Sequence, residues 1–156
     1  MSGFPTNVLA ATDGSPQAHL ALQMAVDLSS RTGAELHVVH VGELAAMYHP
    51  EMRGYAYRHE ASEQEARRLL DEESARLRAA GVDVAKAHLR MGRADVEIIE
   101  LAEELGADVI VVGSRGLGGI RRALVGSVSD SIVHHAHCPV LVVRKKDARG
   151  DPEGRG

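Results

Sequence analysis

The stretch VVGSRGLGGIRRALVGSVSDSIV, residues 111–133, largely decides which fold this sequence predicts. Its β-branched start ends at Gly113, and four glycines lie within residues 113–119. A Gly-Ser pair follows at 126–127, ahead of a pattern typical of a helix. The stretch therefore predicts a buried strand, a glycine-rich loop and the N-terminus of a helix.

The sequence on both sides of this stretch alternates between strand and helix patterns. The predicted strands are residues 7–12, 35–41, 82–89, 108–113 and 139–144. The predicted helices run from Ser15-Pro16 to Gly33, over about 60–80, over about 93–105, and from near Ser127. The first, fourth and fifth strands are nearly continuous apolar runs, which is typical of parallel strands covered by helices on both faces. The alternation predicts right-handed βαβ crossovers and an open, doubly wound α/β sheet.

The helical patterns also predict which residues face the core. In the first helix two faces fit the period, one with Leu20 and Met24 and one with Ala21 and Ala25, and both share Leu28. The second helix has a narrow apolar stripe of Ala66, Leu69, Leu70, Ala75 and Leu77, and the predicted core residues of the third are Val96, Ile99, Leu101 and Leu105. The fourth helix carries Val128, Ile132 and Val133.

Composition excludes several classes of protein. The chain has 156 residues, which suits one domain, predicted over 1–145 with a disordered polar tail at 146–156. A net charge of −4 and an aromatic content of 3% give no indication of nucleic-acid binding. No apolar run approaches the ~18 residues that span a bilayer, and the start lacks a signal-peptide pattern. With Cys138 as the single cysteine, the sequence predicts a cytoplasmic protein that binds no membrane.

The glycine-rich loop and the helix that follows it predict an anion site, with phosphate as its occupant. Glycines let the backbone approach a phosphate, and the free amides at a helix N-terminus favour negative charge. Two common phosphate motifs do not fit. Gly119 stands where a Walker A motif needs lysine, and Arg121 stands at the third glycine of the dinucleotide fingerprint.

The spacing that does fit is G-x2-G-x9-G-S, formed by Gly113, Gly116, Gly126 and Ser127. With this spacing the sequence resembles the ATP-binding branch of the universal stress protein family. Further matches are ATDGS after the first strand, HVVHV ending the second, ADVIVVGSRG at the fourth and HCPVLVVR at the last. The resemblance covers residues 5–145.

The resemblance implies ATP as ligand, held with Mg²⁺ or Mn²⁺, and a role for each matching position. The motif residues would surround the phosphates, Asp13 would face the ribose or the metal ion, and the backbone of Val41 would bind the adenine edge. Asp13 also fits an Asx turn or a helix cap. The complete set of implied site residues is Ala11, Thr12, Asp13, Val41, Gly113, Arg115, Gly116, Gly126, Ser127, Val128 and Ser129.

The fold expected with this resemblance is a three-layer α/β/α, Rossmann-like sheet of five parallel strands in the order 3-2-1-4-5. It is the fold of the adenine nucleotide α-hydrolase-like proteins. The last strand, 139–144, would be an exposed apolar edge, and natural proteins seldom leave such an edge uncovered. Members of the family commonly pair this strand with its copy, so we expect a homodimer.

The expected function is that of an ATP-dependent regulator in the stress response, with slow ATP hydrolysis at most. Two alternatives stay open: a weak ATP-cleaving enzyme of the same fold, and a dimeric interaction scaffold whose nucleotide site is empty. ADP or cyclic AMP could replace ATP. Residues 43–60, a long connection holding all three tyrosines, fit either an exposed loop or a lid over the site.

The segment HHAHC at 134–138 raises a separate question of metal binding. Adjacent residues on a helix diverge by about 100°, so these side chains cannot all face one ion. The sequence therefore favours late-helix histidines and a buried cysteine over a metal site here.

Overall fold

The computed structural model describes residues 4–43, 55–114 and 126–145. The predicted tail at 146–156 lies outside this part of the chain. The strands are β1 (Asn7–Ala11), β2 (Glu35–Gly42), β3 (Val84–Met91), β4 (Val109–Gly113) and β5 (Val140–Val143). The helices are α1 (Pro16–Thr32), α2 (Tyr55–Ala79), α3 (Ala94–Leu105) and α4 (Ser127–His135). None of these helices is long and apolar enough to span a bilayer.

The five strands form one sheet in the order β3-β2-β1-β4-β5, and every neighbouring pair is parallel. The predicted strand order is therefore confirmed. Two apolar clusters cover the sheet: α1 and α2 pack on one face, and α3 and α4 pack on the other. The chain changes direction across the sheet between β1 and β4, so the loops after these strands diverge and leave space between them.

Helix α1 begins and ends where the sequence predicts. The Ser15 hydroxyl accepts a hydrogen bond from the amide of Ala18 at 3.1 Å, and Gly33 ends the helix with a φ of 76°. Ala21 and Ala25 are fully buried, whereas Met24 is 44% exposed. The face with the two alanines is thus the core face, and the alternative with Met24 is wrong.

Other helix predictions need correction. Helix α2 begins at Tyr55, earlier than the predicted residue 60, so part of the predicted long connection is helical. Val96 in α3 is 41% exposed and Val133 in α4 is 49% exposed, while Ile98 and Ile132 are buried. The apolar valines extend the sequence pattern beyond the one face that packs on the sheet.

A pair of buried histidines joins β2 to β3. The register shifts after Leu36, and the Nδ1 atom of His37 then lies 3.1 Å from the Nε2 atom of His88. Burial, His37 and the nearby Lys86 and Arg90 lower the pKa of His88 from 6.5 to about 4, although Glu104 opposes this shift. At neutral pH the His88 ring is therefore uncharged.

This pKa predicts that the protein loses stability in mild acid. Between pH 6.5 and 4 the unfolded chain binds a proton at His88 that the folded protein does not bind. The contribution of His88 is therefore fully present above pH 6.5 and is lost as the pH falls towards 4. Melting temperatures measured from pH 7 to 4 should fall, and His88→Asn should fall less steeply. A His88 ring that titrates near pH 6.5 by NMR would contradict this.

Candidate functional site

A cavity of about 680 Å³ opens at the carboxyl end of the sheet, beside the point where the strand order reverses. Cavities of about 300–1,000 Å³ are typical of small-molecule sites. Its walls come from the ends of β1, β2 and β4, from the starts of α3 and α4, and from one face of α2. The position is the one at which open α/β sheets bind ligands.

The structure brings together all of the predicted site residues that it describes. Arg115 and Gly116 lie outside the described residues. The others line the cavity: Ala11, Thr12, Asp13, Val41, Gly113, Gly126, Ser127, Val128 and Ser129. The role of each toward a ligand stays a prediction.

Hydrogen bonds fix the loop after β1. The amide of Thr12 donates to the carbonyl of Val39 at 2.9 Å, and the Thr12 hydroxyl accepts from the amide of Gly14 at 3.2 Å. Asp13 Oδ1 accepts from the amide of Ser15 at 2.9 Å, which forms the Asx turn predicted as one use of this residue. The loop therefore holds Asp13 at the edge of the cavity.

The first turn of α4 forms the opposite wall. Gly126 occupies the N-cap position and supplies no side-chain cap. Its amide donates to the carbonyl of Ser114, and the Ser129 hydroxyl lies 3.2 Å from the same carbonyl. These bonds attach α4 to the end of β4. Because the N-cap residue is a glycine, the first-turn amides have no side-chain partner there. Such amides, with the helix dipole behind them, favour a negatively charged ligand.

His40 lines the cavity but was not predicted from the sequence. Its Nδ1 atom lies 2.7 Å from the carbonyl oxygen of Thr12. Because a carbonyl oxygen only accepts, Nδ1 carries the proton. The ring is buried and fastens the end of β2 to the loop after β1. No local pattern distinguishes it from other strand residues.

The wall formed by α2 was not predicted from the sequence either. Ser62, Glu65, Ala66 and Leu69 line the cavity from one face of this helix. Gly42 explains how α2 comes so close, because a Cβ there would lie 2.7 Å from the Ala66 Cβ and 2.7 Å from the Met91 sulfur. The sequence feature that could have predicted this close approach is a glycine at the end of β2 together with a small residue on α2.

The described lining is acidic. Asp13, Glu43 and Glu65 contribute carboxylates, and the lining contains no lysine or arginine among the residues the structure describes. Within the same residues no three histidine, cysteine or acidic side chains form a group that could hold a metal ion.

The histidines at the end of α4 and just after it make hydrogen bonds and an ion pair within the protein. Nδ1 of His134 donates to the carbonyl of Asp130 at 2.8 Å, and Nδ1 of His135 donates to the carbonyl of Ser131 at 2.9 Å. His137 pairs with Glu103 at 2.8 Å. Burial, the largest cause, raises the pKa of the Cys138 thiol, so this thiol stays protonated at neutral pH.

Comparisons with known proteins agree with this architecture. The sequence pattern of the universal stress protein family matches residues 5–144. A candidate universal stress protein of Staphylococcus haemolyticus is 36% identical over 146 residues, which cover 93% of this chain and 88% of the relative. The structure of universal stress protein UspA from Lactobacillus plantarum superposes with a TM-score of 0.77 at 26% identity, covering 89% of this chain and 97% of the other.

A second solved structure contains a ligand. It is a universal stress protein in complex with cAMP, 27% identical, with a TM-score of 0.63 and coverage of 88% of this chain and 95% of the other. The match over residues 5–144 and the identity to the staphylococcal relative show that the chain belongs to the universal stress protein family.

Proposed function

We propose that this protein binds ATP in the cavity and acts as a nucleotide-dependent regulator in the stress response. The observation that carries the proposal is the cavity itself. It has a volume of about 680 Å³ and extends between Val41, where the adenine is predicted to bind, and the first turn of α4, which has no side-chain cap. A relative of the same fold is known in complex with cAMP. An adenine nucleotide therefore fits both the geometry and the family.

The proposed orientation follows from the polarity of the walls. The phosphates lie at Gly113, Gly126 and Ser127, because the helix dipole of α4 favours negative charge there. The base lies at Val41, next to the apolar surface of Ala66 and Leu69 on α2. Mg²⁺ or Mn²⁺, bound by Asp13 and the phosphates, would offset the repulsion between the phosphates and the acidic lining.

We also propose a homodimer formed through β5, acting in the cytoplasm as a single domain over 1–145. β5 is an edge strand of four residues in which Val140, Leu141 and Val142 are only half-buried. Pairing with a second copy would cover this apolar edge.

A test of the proposed function is to purify the protein, denature it, and identify any released nucleotide by chromatography. The stripped protein is then titrated calorimetrically with ATP, ADP and cyclic AMP in the presence of magnesium. Released ATP, or tighter binding of ATP than of the other two, is the expected result. A preference for cyclic AMP would overturn ATP as the ligand. Absence of binding to all three would favour the alternative of a dimeric scaffold with an empty site.

A further inference from the structure

A hydrogen bond joins α3 to α4 directly behind the cavity wall. The hydroxyl of Ser131 in α4 donates to Oδ2 of Asp95 in α3 at 2.6 Å. Oδ1 of Asp95 accepts from Nε of Arg93 at 2.8 Å. Asp95 is only 6% exposed, so it is a buried carboxylate whose partners all come from these two helices and the turn before α3.

The carboxylate of Asp95 is ionised at neutral pH. Burial alone would raise its pKa, but the hydrogen bonds from Ser131, from the amide of Val96 and from Arg93 outweigh burial and hold the pKa below its usual value. An ionised carboxylate only accepts hydrogen bonds, and charge-assisted bonds of this kind are short and strong. The Ser131–Asp95 bond is therefore directional and well defined.

The position of this bond relates it to the proposed phosphate end of the site. Ser131 lies one helical turn after Ser127, and Ala94 beside Asp95 lines the same cavity as Ser127. Apolar contact between Ile132 and the α3 cluster holds the two helices together but does not fix their sliding. Two sets of hydrogen bonds fix how far along its axis α4 lies: those of Gly126 and Ser129 to the carbonyl of Ser114, and the hydroxyl–carboxylate bond to α3.

We infer that Asp95 and Ser131 are positioning residues for the anion-binding end of the cavity. By holding α4 against α3 they act together with the bonds to the Ser114 carbonyl to set where the first-turn amides of α4 stand relative to the phosphates. Hydrogen bonds from amide to phosphate require distances near 2.9 Å, so a small slide of α4 weakens all of them together. This inference rests on the proposed function, because it assigns the pair to the phosphates of a bound nucleotide.

The experiment compares ATP with adenosine, which has the base and ribose but no phosphate. Ser131→Ala is expected to weaken ATP binding about fivefold and to leave adenosine binding within about twofold of wild type. The matched control is Ser30→Ala, because the Ser30 hydroxyl is exposed and bonds only to the carbonyl of Asp27 in its own helix. The control should change neither affinity.

A double-mutant cycle and a rescue variant separate positioning from general loss of stability. Asp95→Ala should lower the preference for ATP over adenosine. Adding Ser131→Ala to Asp95→Ala should lower this preference little further, because the two substitutions remove the same hydrogen bond. Ser131→Thr keeps the hydroxyl and should bind ATP as wild type does. If Ser131→Ala fails to fold, Asp95→Asn is titrated with the same two ligands, because it keeps the shape of the side chain and removes the charge that the Ser131 hydroxyl binds, and the same selective loss of ATP affinity is expected.

Two results would overturn the inference. The first is that the wild type binds ATP and that Ser131→Ala either weakens the binding of ATP and of adenosine equally or changes neither affinity. The pair would then only stabilise the fold. If wild type binds neither ligand, the proposed function fails and the inference fails with it. The ATP titration of the wild type tells these two results apart.

Discussion

Replacing Gly113 by alanine is expected to lower the free energy of unfolding by about 3 kcal/mol and the melting temperature by about 6 to 12 °C. A Cβ at this position would lie 2.9 Å from both the backbone carbon and the backbone oxygen of Gln17. These atoms belong to the first turn of α1 and cannot rotate away as a side chain can. Helix α1 must therefore move off β4, and calorimetric unfolding measures the loss.

Gly33→Ala provides the contrasting control. Nothing lies within 4 Å of a Cβ at Gly33, but its φ of 76° is unfavourable for alanine. The expected loss there is about 1 kcal/mol, from backbone strain alone. A loss at Gly113 no larger than the loss at Gly33 would show that the contact between β4 and α1 adapts to a methyl group.

Ser127→Asp is expected to weaken ATP binding about thirtyfold, equivalent to about 2 kcal/mol, without lowering the melting temperature. Ser127 is the exposed first residue of α4 and lines the cavity. A carboxylate at a helix N-terminus stabilises the helix, so the fold should be preserved. The same charge would repel the phosphates proposed to lie there, and calorimetric titration measures the difference.

Ser127→Asn is the matched control for this variant, because asparagine has nearly the shape of aspartate but no charge. It should bind ATP within a few-fold of wild type, and adenosine should bind all three proteins alike. The effect of aspartate should also shrink as salt is added, since salt screens the repulsion. Equal ATP affinity of the Asp and Asn variants would place the phosphates away from α4.

The sequence predicted those parts of the fold that depend on local chemistry. The start of α1 is set by Ser15 and Pro16 and its end by Gly33, each through its own backbone or side chain. The bounds of the helix were therefore predicted almost to the residue. The choice between the Ala21 and Met24 faces was not local. It depends on how α1 lies on β1 and β4, which buries Ala21, Leu22 and Ala25 and leaves Met24 exposed.

The candidate site shows the same division. The loops after β1 and β4 and the start of α4 carry signals in their glycines and serines, and these residues do line one cavity. The wall from α2 and the ring of His40 were not predicted, because each reaches the cavity through a partner distant in sequence. Ala66 lies against Gly42, and His40 is held by the carbonyl of Thr12.

The close approach of Gln17 to Gly113 also bears on how the descendants of such a protein would change. A copy that had lost its nucleotide would still retain glycine at 113, because α1 leaves no room for a side chain there. The first glycine of the motif is therefore required by the packing of a helix on a strand, whatever the ligand. Loss of the ligand would first leave its trace elsewhere, at Ser127 and along the polar face of α2, where side chains are free to vary.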